Sequence, residues 1–243
     1  MASSEYTYPE IAKMIDHSLL NPALTTAELE AGCALARRYD VASVCILPYA
    51  VARAAELLRG SSVVVSTTVG FPHGGHATTV KMFEAEQALR DGAVELDAVI
   101  NISKARSGQW EYVGAEVQAL AERTHSAGAK IKVIFENAYH DDAAKIRLCE
   151  ICGESGVDWV KTSTGYAATG ATLEDLRLMR KHSPASVQVK AAGGIRTLDA
   201  LLEVREIGVT RVGATRTAEM LEECRKRLGM EAIGAASGAP AGY

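Results

Sequence analysis

Two lysines end short apolar runs, and a loop containing glycine follows each of them. Lys161 closes Asp-Trp-Val-Lys, and Lys190 closes Val-Gln-Val-Lys one strand–helix unit later. A buried lysine is unfavourable because desolvation disfavours its charged form. If both amines reach one pocket, repulsion at about 5 Å and an effective dielectric of about 20 is roughly 3 kcal/mol, which lowers each pKa by about 2 pH units. A neutral amine near pH 7 forms imines with carbonyls, so the pair predicts a Schiff-base enzyme.

Two aspartates are candidates for the same pocket. Asp97 lies in Glu-Leu-Asp-Ala-Val-Ile, two predicted strands before Lys161, and Asp16 lies in Ile-Asp-His-Ser on the first predicted strand. An imine must be formed, deprotonated and hydrolysed, and Asp97 would serve as the proton relay. The alternative is a structural ion pair with the lysines. Asp16 would orient substrate hydroxyls or hold Lys190, and a structural role at the strand end fits its spacing equally well.

Apolar, strand-like runs alternate with helical patterns along the chain. The predicted strands are Met14–Ser18, which is weak, Val41–Leu47, Val63–Val69, Ala93–Ile100, Lys130–Glu136, Asp158–Thr162, Val187–Ala191 and Thr210–Ala214. Near-continuous apolar strands indicate a buried parallel sheet, and a count of eight favours closure over an open sheet. We therefore predict an α/β protein, a single (β/α)8 TIM barrel over residues 1–231. A flexible tail, rich in Ala, Gly and Ser, is expected at 232–243.

Glycines follow the last two predicted strands at positions that suit a phosphate group. The carboxyl ends of the strands line the active site of such a barrel. Gly193-Gly194 follows the seventh strand, and Gly213-Ala214-Thr215 follows the eighth, ahead of the last helix. Barrels often bind phosphate in these two loops, where glycine permits close approach of backbone N–H groups. A phosphate site is therefore predicted, with Gly165 as a third wall, and ordinary turn glycines are the alternative.

Composition and charge narrow the class of protein. The chain has 243 residues, 48% hydrophobic and 23% charged, as expected of a globular protein with one large domain. A net charge of −4 gives no electrostatic reason to expect nucleic-acid or anionic-membrane binding. No apolar run reaches the ~18 residues of a membrane span, and five cysteines are not a disulfide framework. We expect a cytoplasmic protein without nucleic-acid or membrane partners.

Two short motifs could suggest metal or redox chemistry. Cys149 and Cys152 form a C-x-x-C within a helical pattern, and His73 and His76 stand in a glycine-containing loop. No third ligand lies near the histidines in sequence, and no redox strand–turn–helix context surrounds the cysteines. We interpret them as half-buried helical thiols and loop histidines, and we expect no metal and no cofactor.

Longer motifs together resemble the deoxyribose-phosphate aldolase family. They are Lys-Thr-Ser-Thr-Gly at 161–165, Lys-Ala-Ala-Gly-Gly-Ile-Arg-Thr at 190–197, Ile-Asp-His-Ser-Leu-Leu at 15–20 and Val-Gly-Phe-Pro at 69–72. The resemblance implies a metal-free class I aldolase that reversibly splits 2-deoxyribose 5-phosphate into acetaldehyde and glyceraldehyde 3-phosphate. Members of this family are often homodimers or larger homo-oligomers.

The resemblance also implies a role for each matching residue. Lys161 matches the imine-forming lysine, Lys190 its acidifying neighbour and Asp97 the relay acid, with Asp16 in support. The glycine loops match the phosphate-binding walls, and Thr162, next to the imine-forming lysine, is assigned to the same binding set.

Two further residues match through the resemblance alone. Cys45 matches a pocket cysteine that reacts with aldehyde by-products, and a packed thiol is the simpler description. Tyr243 resembles a tyrosine that a flexible tail brings into the pocket to aid proton transfer, and an idle tyrosine on a disordered tail is the alternative.

The sequence also departs from the family pattern, and other functions stay open. Thr215-Arg216 stands where relatives often carry a Ser pair, and Tyr166 stands where some carry Lys. Thr keeps a hydroxyl donor, so phosphate binding is still expected. One alternative function is another Schiff-base lyase of this barrel class. The other is a non-catalytic phosphosugar-binding barrel, which would need no lysine pair.

Overall fold

Eight parallel strands close into a barrel, with each strand paired to its neighbour in sequence and the last paired to the first. The computed structural model describes residues 6–234. The strands are β1 (Ile15–Leu19), β2 (Ser43–Ile46), β3 (Val64–Val69), β4 (Glu95–Val99), β5 (Lys130–Ile134), β6 (Trp159–Lys161), β7 (Gln188–Ala192) and β8 (Val209–Ala214). All eight predicted strands are present, so the predicted (β/α)8 barrel is confirmed.

At least one helix follows each strand, one further helix precedes β1, and together they form the outer layer. Within residues 6–234 they are α1 (Tyr8–Ala12), α2 (Thr26–Tyr39), α3 (Val51–Leu58), α4 (Thr78–Arg90), α5 (Ile102–Arg106), α6 (Trp110–Ser126), α7 (Asp142–Glu154), α8 (Leu173–His182), α9 (Leu198–Glu206) and α10 (Thr217–Arg227). Single 3-10 turns span Pro48–Ala50 and Asn137–Tyr139. The five-residue helices α1 and α5 were not predicted, because they are too short to show a helical period.

Threonine caps fix where several helices begin. Before α2, the Thr25 hydroxyl accepts from the Glu28 N–H, and the Glu28 carboxylate accepts from the Thr25 N–H at 2.7 Å, which forms a capping box. Thr172 and Thr197 cap α8 and α9 in the simpler manner. Each cap stabilises its helix start by about 1 kcal/mol. The helices that follow the two lysine-bearing strands therefore have defined starting points.

The apolar core lies between the sheet and the helices, whereas the inside of the barrel is charged. Val160, Val189 and Val212 are fully buried and alternate with the charged residues of their strands. Because side chains alternate along a strand, the charged residues face the barrel interior. Bulky aliphatic residues usually fill such interiors, so a charged interior is a departure with a functional meaning.

Strand register sets which charged side chains face one another. Lys161 of β6 is paired with Lys190 of β7. A register shift follows Val189, so that Arg211 of β8, and not Thr210, is paired with Lys190. The shift keeps Arg211 on the interior face beside the lysines.

Candidate active site

The two predicted lysines meet at one carboxylate. Lys161 Nζ and Lys190 Nζ each lie 2.7 Å from Oδ2 of Asp97. Both lysines are almost fully buried and Asp97 is inaccessible to solvent. Both amines also line the same cavity at the carboxyl end of the barrel. A paired amine nucleophile and ammonium group at one cavity are the elements that imine chemistry requires.

Asp16 supplies a second carboxylate, which Lys190 contacts and Lys161 does not. Lys190 Nζ lies 2.5 Å from Oδ2 of Asp16. The other oxygen of Asp16 accepts from Ser43 Oγ at 2.6 Å and from Arg211 at 2.5 Å. Lys190 is therefore compensated by two carboxylates and Lys161 by one.

This difference gives the two amines opposite pKa directions. Burial, the largest effect, lowers the pKa of Lys161; Asp97 opposes this, and Lys190 adds a further lowering. Burial also acts on Lys190, but Asp16 and Asp97 outweigh it and raise its pKa. The expectation that each lysine lowers the other's pKa is therefore wrong for Lys190. For Lys161, desolvation lowers the pKa more than the neighbouring Lys190 cation does.

The carboxylates are held in the ionised form. Burial alone would raise the pKa of Asp97, but Lys132, Lys161 and Lys190 hold it well below its usual value. Asp16 behaves in the same way, with Lys190 and Lys132 as the leading opposing charges. Both acids therefore accept hydrogen bonds at neutral pH and do not donate them.

Three further charged residues of this cluster were not singled out from the sequence. Lys132 Nζ lies 2.5 Å from Glu95 and 2.9 Å from Asp97. Arg211 spans Glu95 and Asp16, at 2.9 and 2.5 Å. A signal was present, since Glu95 and Asp97 lie two residues apart in one apolar strand and so share a face. Lys132 also interrupts an apolar run.

The cavity above the lysines is lined mainly by the ends of β1, β6, β7 and β8. Its lining residues are Asp16, Ser18, Leu20, Cys45, Lys161, Thr164, Gly165, Lys190, Ala192, Gly193, Gly194, Ile195, Arg196, Gly213, Ala214 and Thr215. Asp97 lies beneath the lysines and does not line it. Ser18, Leu20 and the exposed Arg196 were not predicted site residues, although Arg196 lies within the quoted motif at 190–197.

The predicted glycine walls face this cavity, with one correction. Gly165, Gly193 and Gly194 have φ values of 90°, 81° and 95°, a region that favours glycine. Gly213 and Ala214 are the last residues of β8, not part of the loop after it.

Thr162 does not line the cavity, contrary to its predicted place in the binding set. Its hydroxyl donates to the Ala192 carbonyl at 3.1 Å and accepts from the Ala192 N–H at 3.0 Å. Because side chains alternate along an extended chain, the residue after Lys161 points away from the lysine's side. Thr162 instead ties the end of β6 to the end of β7.

Glu136 fixes the loop after β6 from the neighbouring strand end. Its carboxylate accepts from the Thr164 hydroxyl and from the Thr164 N–H at 3.2 Å. Its φ of 58° is unusual for a residue with a side chain, and burial raises its pKa. Tyr166 adds a second tie, since its hydroxyl donates to the Leu20 carbonyl at 2.9 Å. The wall formed by Thr164 and Gly165 is thus held from two sides.

The remaining predicted residues have different positions. Cys45 lines the cavity but is 2% exposed, and burial raises the pKa of its thiol. Cys149 and Cys152 are fully buried in α7, not half-buried. Tyr243 lies outside the described residues.

Within residues 6–234, no group of three or more His, Cys, Asp or Glu side chains is placed to hold a metal ion. The helices of this range all fall short of the length and apolar character of a membrane span.

A parallel eight-stranded barrel with a buried lysine pair at its carboxyl end is the arrangement expected of an enzyme that forms imines with carbonyl substrates. A family model described as DeoC/LacD family aldolase matches residues 10–238. The chain therefore belongs to the DeoC/LacD aldolase family, and it is a lyase.

Curated relatives agree with this assignment. A deoxyribose-phosphate aldolase from Rhodopirellula baltica is 60% identical over 240 residues, which are 99% of this chain and 100% of that protein. One from Thermococcus kodakarensis is 43% identical over 215 residues, covering 88% of this chain and 96% of the relative.

Solved structures of aldolases superpose closely on this barrel. The structure described as QR15, an aldolase, has a TM-score of 0.86 at 37% identity, covering 91% of this chain and 99% of that one. Deoxyribose phosphate aldolase from Aeropyrum pernix, described as having a unique tetrameric structure, has a TM-score of 0.84 at 28% identity. That match covers 91% of this chain and 93% of the other.

Proposed function

We propose that this aldolase reversibly cleaves 2-deoxy-D-ribose 5-phosphate to acetaldehyde and D-glyceraldehyde 3-phosphate through an imine on Lys161. The observation that carries the proposal is one cavity in which an amine of lowered pKa lies beside an ammonium group and glycine-rich strand ends. The deoxyribose-phosphate aldolase relatives support the choice of substrate.

Carbon chemistry in this proposal takes place on Lys161. Its neutral amine attacks the open-chain aldehyde carbon, and loss of water gives an iminium ion that acts as an electron sink. The C3 hydroxyl loses its proton, the C2–C3 bond breaks, and its electron pair moves toward the iminium nitrogen. Glyceraldehyde 3-phosphate leaves, the acetaldehyde enamine is protonated at carbon, and hydrolysis frees Lys161.

Lys190 and Asp97 carry the proton transfers. Lys190 lines the cavity and donates to Asp97 and Asp16, whereas Asp97 lies beneath the lysines. Protons therefore pass between the substrate and Asp97 by way of Lys190 or a water molecule beside it. The two aspartates also keep Lys190 charged and directed toward the cavity. The ion-pair role of Asp97 is therefore compatible with its role as a proton relay.

The phosphate group would lie on the wall formed by the ends of β7 and β8. Gly193 and Gly194 offer backbone N–H groups without a side chain in the way, and Thr215 offers a hydroxyl. Of the described residues that line the cavity, Arg196 alone carries a guanidinium group. A guanidinium matches a phosphate in charge and geometry.

Several further assignments complete the proposal. Tyr243 assists protonation of the enamine, and Cys45 reacts with aldehyde by-products. The tetrameric relative from Aeropyrum pernix supports a homo-oligomer, which light scattering at several protein concentrations would test. A cytoplasmic location stays a prediction.

Chemical trapping tests the imine. Reduction in the presence of acetaldehyde should add a stable two-carbon group to Lys161, detected by peptide mass spectrometry. Lys81 is an internal control because its pKa is also lowered, chiefly by burial, while its amine is closed off against Glu116 and the Val99 carbonyl. Recovery of an unmodified protein would rule out the imine and favour a phosphosugar-binding barrel.

Product formation tests the substrate. Release of acetaldehyde and glyceraldehyde 3-phosphate from 2-deoxyribose 5-phosphate should follow enzyme concentration. A panel of other aldol donors and acceptors separates this activity from that of another Schiff-base lyase. Labelling of Lys161 without cleavage of the deoxyribose phosphate would leave the imine standing and overturn the substrate.

A further inference from the structure

Six side chains inside the barrel form a closed ring of alternating charge. In order around the ring they are Lys190, Asp97, Lys132, Glu95, Arg211 and Asp16. Each member contacts the next through an ion pair of 2.5 to 2.9 Å, and Asp16 closes the ring on Lys190. Three cations therefore face three carboxylates, and the ring is neutral.

Lys161 is a fourth basic side chain, attached to this neutral ring through Asp97. Among residues 6–234, its only ion pair is with Asp97, which already contacts Lys132 and Lys190. If Lys161 were protonated, the buried cluster would carry one uncompensated positive charge. An uncompensated charge in a medium of low dielectric is strongly unfavourable, so the balanced state is the one in which Lys161 is neutral.

We propose that the charge balance of the whole ring, and not Lys190 alone, sets the protonation state of Lys161. Glu95, Arg211 and Lys132 do not line the cavity. They are positioning residues for the proton balance of the nucleophile, acting from deeper in the barrel. This inference rests on the proposed imine chemistry of Lys161.

Other titratable groups near Lys161 do not alter the balance of charge in the ring. Cys45, on β2, has a pKa raised by burial, so its thiol is uncharged at neutral pH. Glu136, at the end of β5, has a pKa raised by burial, and its carboxyl group is engaged by Thr164. Glu136 makes no ion pair with Lys161, and burial outweighs the lowering that Lys161 exerts on the pKa of Glu136. The ring therefore contains the charges that compensate the amine.

Opposite charge deletions at the far side of the ring test the inference. Glu95→Gln removes one negative charge, so protonation of Lys161 becomes harder and its pKa falls. Arg211→Met removes one positive charge, so Lys161 becomes the third compensating cation and its pKa rises. The double variant Glu95→Gln/Arg211→Met restores balance. Each single change should move the pKa by about one pH unit, in opposite directions.

The measurement is the rate of reductive labelling of Lys161 with acetaldehyde and cyanoborohydride, from about pH 5 to about pH 10. The midpoint of its rise with pH reports the pKa of the amine. We expect the midpoint to move down in Glu95→Gln, up in Arg211→Met and back toward wild type in the double variant. A merely structural role would slow labelling without moving the midpoint in opposite directions.

Glu116→Gln is the matched control, because Glu116 is also buried and paired with a lysine, Lys81 at 2.7 Å, but lies outside the ring. Its midpoint should equal that of wild type. Either single variant decides the question if the other does not fold. If wild type is labelled but the midpoint of a folded variant is unmoved or moves in the opposite direction, the charge balance of the ring does not set the protonation state of Lys161. Absence of labelling in wild type would instead overturn the proposed imine itself.

Discussion

Lys161 and Lys190 face each other in the register of β6 and β7, and both amines lie 2.7 Å from the same oxygen of Asp97. One carboxylate oxygen cannot neutralise two ammonium groups. Asp16 completes the compensation of Lys190 at 2.5 Å and makes no ion pair with Lys161. Two residues of the same type on adjacent strands thereby have pKa values shifted in opposite directions, as imine chemistry requires of a nucleophile and its acidic neighbour.

We expect Lys190→Leu to lower kcat/KM by about 10²–10³-fold, because the variant loses both a proton-transfer group and a cation that competes for Asp97. The pH at which labelling of Lys161 reaches half its maximum should also move upward. Steady-state kinetics and the labelling profile measure the two effects. Lys145→Leu is the control, since Lys145 pairs with Asp175 at 2.6 Å in the helical layer. Unchanged turnover and pH profile in Lys190→Leu would contradict the role of Lys190.

The ionised aspartates also predict acid sensitivity of the fold. Asp97 and Asp16 have pKa values lowered in the folded state, so their contribution to stability is present above the ordinary carboxyl pKa of about 3.9. Below that pH the unfolded chain binds protons that the folded chain does not. The free energy of unfolding must therefore fall as pH falls, by up to about 1.4 kcal/mol per pH unit for each group.

Urea unfolding between about pH 3 and about pH 6 measures this slope. Asp97→Asn should flatten it, because one of the two groups is removed. Asp142→Asn is the control, since the Asp142 carboxylate is largely exposed and its pairing with Lys145, at 3.3 Å, is loose. An equal slope in wild type and Asp97→Asn would show that Asp97 is not the ionised buried acid described above.

The sequence was sufficient to predict the barrel and the meeting of its two lysines. Each strand is a compact apolar run, and the carboxyl ends of parallel strands meet at one face wherever their exact ends lie. Lys161 and Lys190 could therefore be placed together without knowing a single contact. Capping at Thr25 was predictable for a similar reason, because the interaction is local.

The ring of charges could not be predicted in the same way. Lys132 and Glu95 find partners on β4, β5 and β8, and only closure of the barrel brings these strands around one interior. A charge within an apolar run does not indicate which strand supplies its counter-charge. The direction of the Thr162 side chain, by contrast, could have been predicted. Thr162 follows Lys161 directly, so alternation places its side chain on the other side of the strand.

Arg196 should carry part of the affinity for the substrate's phosphate. We expect Arg196→Ala to raise KM for 2-deoxyribose 5-phosphate by about 10–100-fold, since charge-assisted hydrogen bonds contribute about 1.5–3 kcal/mol. Kinetics with unphosphorylated 2-deoxyribose should be unchanged. Arg216→Ala is the control, because Arg216 follows Thr215 but does not line the cavity. A larger rise in KM for Arg216→Ala than for Arg196→Ala would indicate that the phosphate binds nearer the start of α10.

Gly74 is a position where the fold requires the absence of a side chain. Its φ is 65°, and a Cβ there would lie 1.8 Å from the carbonyl oxygen of Ile100, directly after the strand that carries Asp97. We expect Gly74→Ala to lower the free energy of unfolding by about 3 kcal/mol or more, because the contact is with backbone and adds to the strain of a positive φ. Gly75→Ala is the matched control, since no atom lies within 4 Å of a Cβ at Gly75. Urea unfolding followed by circular dichroism should place Gly75→Ala within about 0.5 kcal/mol of wild type, and equal stability of the two variants would contradict the close approach of Gly74 to Ile100.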